Sequence, residues 1–370
     1  MTAREIDCIK NNYYMRLKLC SIKLMQNDCE TLKQLVLTKD PVFLLLSIPV
    51  YALFCNEAYS FLQLEFGSAG LEKEIVDIRN NLKRFSERYG KIVSNIEKSD
   101  EKQDGEFASK VKLKWITKKK LHANMGIYLS EDKKVIGNTQ FIADINNLLY
   151  DDEENRRQKA YDLGEEMGAT LTLFSKEIGR WIGEKRILIY AGKIISNYAD
   201  INTNRNGFFS HSLSKEQNIF LLNILGTIGF TKYELEKRID KYNPWMFRQK
   251  YIMTYYAYRG LDRLYNHCKM NGGEIKGISQ LLISLEKHAN NIFNPILRNC
   301  MMHYDLLSKG EPCINIEKFD EKTLYYGLIE ANTNCQNYDV AYNVLSKIAD
   351  SIETFIESIF DFSRLLIKQF

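Results

Sequence analysis

The sequence predicts a mainly α-helical protein with a helical N-terminal lobe and a small β-hairpin insertion. Apolar residues recur at helical spacing in several long segments, including residues 71–97 and 338–370. Only 5 of the 370 residues are proline, and strand-like alternation is confined to residues 110–136. We therefore expect a helical lobe (1–105), a β-containing insertion (106–150) and a helical C-terminal region (151–370).

The most apolar run, residues 41–55, is expected to form a buried helix or a helical bend. It is shorter than the roughly 18 to 20 residues that a membrane-spanning helix needs, and Pro49 interrupts it. The first residues also lack the apolar core of a secretory signal. These features predict a cytoplasmic protein with no membrane partner.

The cysteines give no indication of a metal site. All 8 are scattered, and none shows the two-residue spacing that zinc sites use. In a reducing compartment they are expected to be free thiols. The chain also lacks a glycine-rich phosphate loop and a nucleophile motif with a matched base, so neither a metal nor a cofactor is predicted.

The insertion is predicted to hold the only β structure of the chain. A polar loop is expected at residues 99–106, followed by a strand at 110–116 and a hairpin whose arms are 125–129 and 134–136. Lysines alternate along the first strand with a tryptophan among them, a pattern that suits phosphate contacts and base stacking. The candidate RNA-binding residues are Lys110, Lys112, Lys114, Trp115, Lys118, Lys119 and Lys120. The alternative is a solvated strand with Trp115 facing the core.

Residues 151–370 are predicted to be helical to the end. Capping-box patterns at Ser214 and Thr231 indicate two helix starts. Asn294 followed by Pro295 is typical of a third. The overall charge is only mildly basic, since 51 Lys and Arg face 47 Asp and Glu. The net charge is too small to hold a nucleic acid by itself, so any nucleic acid must bind a local basic patch.

The segment Arg298-Asn299-Cys300-Met301-Met302-His303 carries the residue types for one specific chemistry. RNA is cleaved without a metal when a base deprotonates the 2′-hydroxyl, an acid protonates the leaving 5′-oxygen and a cation stabilises the phosphorane. Histidine suits the proton transfers, and the guanidinium of Arg298 matches phosphate oxygens. On a helix Asn299 and His303 would share a face, so that Asn299 could orient the histidine or the phosphate.

This motif resembles the signature of the HEPN superfamily of ribonucleases, an arginine followed after four to six residues by a histidine, very often with asparagine directly after the arginine. A second stretch, Arg205-Asn206-Gly207-Phe208-Phe209-Ser210-His211, has the same opening. Its Gly207 suggests a loop, and a polar loop before the Ser214 cap is an equally good account of it.

The resemblance implies a helical bundle of HEPN type whose catalysis needs two motifs face to face, from one chain or from a homodimer. With both motifs in one site, the chain resembles a very compact relative of type VI CRISPR effectors, which cut RNA under a guide RNA. With the Arg298–His303 motif alone, it resembles a dimeric toxin or abortive-infection ribonuclease. Both are metal-independent endoribonucleases of prokaryotic antiviral defence. The remaining alternatives are a non-catalytic RNA- or nucleotide-binding adaptor of HEPN type and a helical scaffold.

Overall fold

A computed structural model describes residues 3–38, 40–62, 73–110, 123–148, 153–183, 197–271, 273–308 and 310–369. These residues are mainly helical, as the apolar periodicity predicts. The α-helices are α1 Ala3–Val36, α2 Pro41–Leu62, α3 Lys73–Asn81, α4 Tyr89–Lys110, α5 Thr139–Ile145, α6 Glu153–Ile182, α7 Lys215–Gly229, α8 Glu236–Arg238, α9 Pro244–Met270, α10 Ile278–Ile292, α11 Pro295–Met302, α12 Leu328–Asn332 and α13 Tyr338–Ile359. The strands are β1 Met125–Leu129, β2 Val135–Asn138, β3 Asn197–Ile201, β4 Leu307–Ser308, β5 Glu311–Pro312 and β6 Ile367–Gln369.

The predicted hairpin is confirmed, but it belongs to a larger sheet. β1 pairs with β2 on one side and with β3 on the other, and β3 pairs with β6, all antiparallel. The expectation that the hairpin is the only β element is therefore wrong. Strands β3 and β6 come from stretches predicted to be helical. Their 5 and 3 residues are too few to show a period-2 pattern against the surrounding helices.

The polar loop predicted at residues 99–106 is wrong, because these residues continue helix α4. Their polar side chains find partners in neighbouring elements. Lys215 pairs with Asp100 at 2.5 Å, and Asn124 Nδ2 donates to Asp104 Oδ1 at 2.9 Å. A polar helix face can thus be buried, because its side chains form hydrogen bonds and ion pairs with neighbouring elements. The helix expected over 71–97 is instead divided into α3, a 3₁₀ turn (Leu82–Ser86) and α4.

Two further helix boundaries differ from the expectations. The capping box at Ser214 is confirmed by mutual hydrogen bonds with Gln217. Thr231, by contrast, does not start a helix: it lies in a π-helical turn, Phe230–Leu235, that continues α7, and its hydroxyl donates to the carbonyl of Thr227. The C-terminal helix ends at Ile359 rather than at residue 370, because Phe360 and Phe362 turn to pack on Phe208.

Most of the predicted lysine-rich RNA-binding stretch, Lys112 to Lys120, lies outside the described residues. Lys110 is the last residue of α4, so it does not open a strand as expected. RNA binding by this segment stays a prediction.

Helix α9 lies at the centre of the described part of the chain and carries large buried side chains such as Trp245, Phe247 and Tyr251. It contacts α1, α7, α11 and α13. The buried apolar side chains form one connected cluster from Tyr13 to Leu365. The cysteines whose side chains are described are free and buried. The three-part division of the chain stays a prediction.

The apolar run predicted to be a buried helix lies in α2, which continues through Pro49. By length and composition α2 could cross a membrane, but 72% of its most apolar window is buried inside the protein. This burial is what the core helix of a folded domain shows.

Candidate active site

Helix α11 begins as the sequence predicts and ends just before the histidine of the motif. Asn294 Oδ1 accepts from the backbone N–H of Ile296 at 2.7 Å, and Pro295 occupies the first turn. The helix ends at Met302. His303 then adopts an extended backbone, with φ −123° and ψ 158°, although its N–H still donates to the carbonyl of Asn299 at 2.8 Å. The imidazole is thus set at a helix terminus and not within a helix.

A buried ion pair holds this terminus in place. Arg248 on α9 donates through Nη1 to the carbonyls of Cys300, at 3.2 Å, and Met301, at 2.9 Å. Its Nε lies 2.9 Å from Oδ2 of Asp28 on α1. Tyr304 donates its hydroxyl to the same oxygen at 2.6 Å, and the guanidinium lies 4.3 Å from the Tyr304 ring centroid. Burial opposes the charge of Arg248, yet Asp28 raises the pKa of the guanidinium further. Tyr304, which directly follows His303, is therefore held in the core.

His303 is paired with Glu57, a carboxylate on α2. His303 Nδ1 lies 2.5 Å from Glu57 Oε2, while Arg79 on α3 donates to Oε1 through Nε, at 2.6 Å, and through Nη2. The side chains of Glu57 and Arg79 are 5% and 7% exposed, whereas that of His303 is 51% exposed. The three residues form a chain that leads from the interior to a half-exposed imidazole.

The imidazole faces a cleft of about 790 Å³. Its walls come from α1, from the end of α2, from Ile182 at the end of α6 and from the segment after α11. The lining side chains are mainly apolar, with Glu57, His303, Lys18, Ser60 and Asp305 as polar members. A cleft of this size with a few polar groups is typical of a small-molecule or substrate site.

Arg298 does not contact His303 directly. Its Nη2 and Nε donate to Oδ1 of the adjacent Asn299, at 2.5 and 3.2 Å. Burial raises the pKa of Tyr256 to about 12, while the charges of Arg79 and Arg298 act to lower it. Arg298 therefore lies near Tyr256, whose hydroxyl donates to Met302. Asn299 Oδ1 accepts from Arg298, while Glu57 is hydrogen-bonded to the imidazole, so the histidine is oriented by Glu57 in this structure. That Asn299 orients the phosphate stays a prediction.

The second motif is not brought to this site. Arg205 and His211 are exposed in a loop before α7, and Asn206 closes that loop by accepting from the N–H of Phe209 at 2.7 Å. The loop hydrogen-bonds to Asn218 in the first turn of α7.

The surroundings of the two motifs contact different parts of helix α9. Gln217, also in the first turn of α7, donates to Cys268 at one end of α9, whereas Arg248 near the other end holds the end of α11. Met302, directly before His303, also accepts from the hydroxyl of Tyr256 at 3.7 Å. At about 1.5 Å per residue, the helix is about 18 Å long between Tyr256 and Cys268. In the described residues, Arg205, Asn206 and His211 therefore lie away from the side chain of His303, and the composite site that they were expected to complete stays a prediction.

Sequence reasoning missed Glu57 and Arg79. One signal was present: Glu57 follows the apolar run of α2 closely, and a carboxylate that is buried needs a partner. Its pairing with a histidine 246 positions away leaves no trace in a single sequence.

Among the described residues, no group of three or more His, Cys, Asp and Glu side chains could hold a metal ion. Comparisons with protein-family models, with curated proteins and with solved structures returned no match for this chain.

Proposed function

We propose that the protein is a metal-independent endoribonuclease of HEPN type, with His303 as the group that transfers protons and Arg298 as the cation that stabilises the phosphorane. The observation that carries this proposal is the position of His303. Its ring is half exposed at a large cleft, while one ring nitrogen is bound to a buried carboxylate. Such a ring can exchange protons with a bound substrate.

The cleft and its surroundings suit a single-stranded substrate. Apolar side chains such as Leu19 and Phe61 offer surfaces for a base, and Lys18 offers a cation for a phosphate. The nucleophile is the 2′-hydroxyl of the RNA, so products should end in a 2′,3′-cyclic phosphate or a 3′-phosphate. Localisation in the cytoplasm and a role in prokaryotic antiviral defence belong to the same proposal.

A homodimer is the arrangement that we favour for the complete site. Within one chain, the two Arg-Asn…His motifs lie next to positions of α9 that are about 18 Å or more apart. Two copies of the Arg298–His303 motif can meet only between chains. This favours a free-standing toxin or abortive-infection ribonuclease over a guided effector with both motifs in one site.

The first test is RNA cleavage in excess chelator by three alanine variants, at His303, His211 and His288. His288 lies partly buried on α10 and serves as the matched control. We expect His303→Ala to abolish cleavage and His288→Ala to keep it. Full cleavage by His303→Ala would remove the basis of the proposal. Loss of cleavage in His211→Ala would show that the second motif is part of the active site.

A second candidate is a non-catalytic RNA- or nucleotide-binding adaptor. The bond from Arg298 to Asn299 favours it, because the guanidinium faces its neighbour and not the imidazole. Sequencing the RNA that co-purifies with wild type and His303→Ala separates the candidates. A bound and uncut RNA in both samples indicates an adaptor, a discrete processed small RNA indicates a guided enzyme, and RNA cut only by wild type indicates a free-standing nuclease.

A further inference from the structure

The two carboxylate oxygens of Glu57 have different partners, and Asn56 Nδ2 also donates to Oε1 at 3.2 Å. Oε1 accepts from Nε of Arg79 at 2.6 Å and also from its Nη2, while Oε2 faces Nδ1 of His303 at 2.5 Å. Two donors of one planar guanidinium thus converge on a single oxygen and hold Oε1 in place. Because both charged side chains are almost fully buried, Oε2 has little freedom to move away from the histidine.

The protonation state of Glu57 follows from these contacts. Burial acts to raise the pKa of Glu57, but the bonds from His303 and Arg79 outweigh it, so the pKa is lowered. The carboxylate therefore stays ionised at neutral pH. An ionised carboxylate can only accept hydrogen bonds, so Nδ1 of His303 must carry the proton that it shares with Oε2. The neutral ring then has a free lone pair on Nε2.

We infer that Glu57 is a positioning residue of the proposed active site, and that Arg79 holds it in place. Glu57 keeps the neutral His303 as the Nδ1–H tautomer and directs Nε2 to the cleft as the proton acceptor. The catalytic part of this inference rests on the proposed function, whereas the tautomer of His303 does not.

The reaction step balances with these groups and water. The 2′-oxygen of the RNA forms a bond to phosphorus as its proton passes to Nε2 of His303. The bond between phosphorus and the 5′-oxygen breaks, and the 5′-oxygen takes a proton from water. The imidazolium then returns its proton to the resulting hydroxide. While the ring is charged, the adjacent carboxylate of Glu57 stabilises it.

The alternative is that Glu57 and Arg79 form only a structural ion pair that the histidine happens to touch. Removing Glu57 alone would leave Arg79 as a buried unpaired cation and endanger the fold. The test therefore uses the double variant Glu57→Gln/Arg79→Met, which removes both charges and keeps similar volumes. Its matched control is Glu234→Gln/Arg238→Met, which removes another buried ion pair, 7% and 3% exposed, that does not touch His303.

The first measurement is nitrogen-15 NMR of the histidine rings in the full chain, at a pH where the rings are neutral. The His303 signals are assigned by their loss in His303→Gln. We expect the Nδ1–H tautomer in wild type and in the control, and a mixture of tautomers in Glu57→Gln/Arg79→Met. The Nε2–H tautomer in wild type, or an unchanged tautomer in that variant, would overturn the inference whether or not the protein cleaves RNA.

The second measurement is RNA cleavage as a function of pH. Because a misplaced general base costs about 10²- to 10⁴-fold in rate, kcat of Glu57→Gln/Arg79→Met should fall by that range, with KM changed by less than about threefold. The control should keep kcat within about threefold of wild type. Combined with His303→Ala, the double substitution should cause no further loss. An unchanged kcat in the presence of wild-type cleavage would refute the positioning role. If neither the wild type nor any variant cleaves RNA but the tautomers are as expected, the proposed function is refuted and the tautomer assignment still holds.

Discussion

Replacing Arg248 with Met should destabilise the protein strongly, because Arg248 is the cation of a buried ion pair. Its side chain is 3% exposed and that of Asp28 is 0% exposed. Methionine keeps most of the volume but leaves the carboxylate in the core without this cation. It also removes the donor to the carbonyls of Cys300 and Met301 at the end of α11.

Breaking a buried pair by removing one partner costs about 3–5 kcal/mol, since an uncompensated charge stays in a medium of low dielectric constant. We expect Arg248→Met to lose free energy of unfolding in this range. At about 1.4 kcal/mol per tenfold, this is a change of more than a hundredfold in the ratio of folded to unfolded protein. The double variant Asp28→Asn/Arg248→Met removes both charges and should regain much of the loss.

The assay is urea unfolding at pH 7, followed by circular dichroism. Arg16→Met is the control, because its ion pair with Glu321 is about half exposed on both sides and is screened by solvent, so its loss should change stability little. A loss below about 1 kcal/mol in Arg248→Met would refute the assignment of a buried ion pair. A double variant as unstable as the single one would show that the contacts to α11, and not the charge of Asp28, carry the effect.

Three further predictions concern the cleft, the pH and the packing. Lys18→Ala should weaken binding of single-stranded RNA to the His303→Ala protein and reduce the slope of log affinity against log salt by about 0.7, whereas Lys23→Ala on the same helix should not. Because the pKa of Glu57 is lowered in the folded state, its ionisation stabilises the fold above the ordinary carboxyl value of 4.5, and this contribution is lost as pH falls below it. The difference in unfolding free energy between wild type and Glu57→Gln/Arg79→Met should therefore shrink from pH 6 to pH 3. Gly229→Ala should unfold or sharply destabilise the protein in thermal unfolding, because its Cβ would lie 1.8 Å from a carbonyl oxygen of β2. Gly105 has open space around it, so Gly105→Ala should instead stabilise the protein by about 0.5–1 kcal/mol.

Each of these has a distinct contrary result. Equal salt slopes for the two lysine variants would place the phosphate outside the cleft. A difference in unfolding free energy between wild type and Glu57→Gln/Arg79→Met that is constant from pH 6 to pH 3 would mean that the carboxylate is not ionised in the folded protein. Normal stability of Gly229→Ala would contradict the close approach of α7 to the sheet.

Periodicity and composition determined the helical class, the hairpin and several helix starts, because these depend on residues close together in the chain. The caps at Ser214 and Asn294 bind N–H groups within three residues, so their sequence pattern is sufficient. The same reasoning failed at residues 99–106 and at Thr231. In residues 99–106, polar side chains such as Asp104 hydrogen-bond to distant partners, and the hydroxyl of Thr231 donates to a carbonyl of the preceding helical turn. The local sequence pattern cannot distinguish these cases from a loop and a helix cap.

At the site, the sequence by itself determined that His303 and Arg298 lie at one short helix. Only the tertiary structure decided which groups they meet. Helices α2 and α3 pack against each other and bring Arg79 to one oxygen of Glu57. The other oxygen of Glu57 meets His303 at the end of α11. The second Arg-Asn…His motif has equally suitable residues, yet it lies next to a position of α9 that is about 18 Å or more from the first motif. Residue types limit the chemistry that a chain can perform, but the packing of distant helices decides which of those residues can act together.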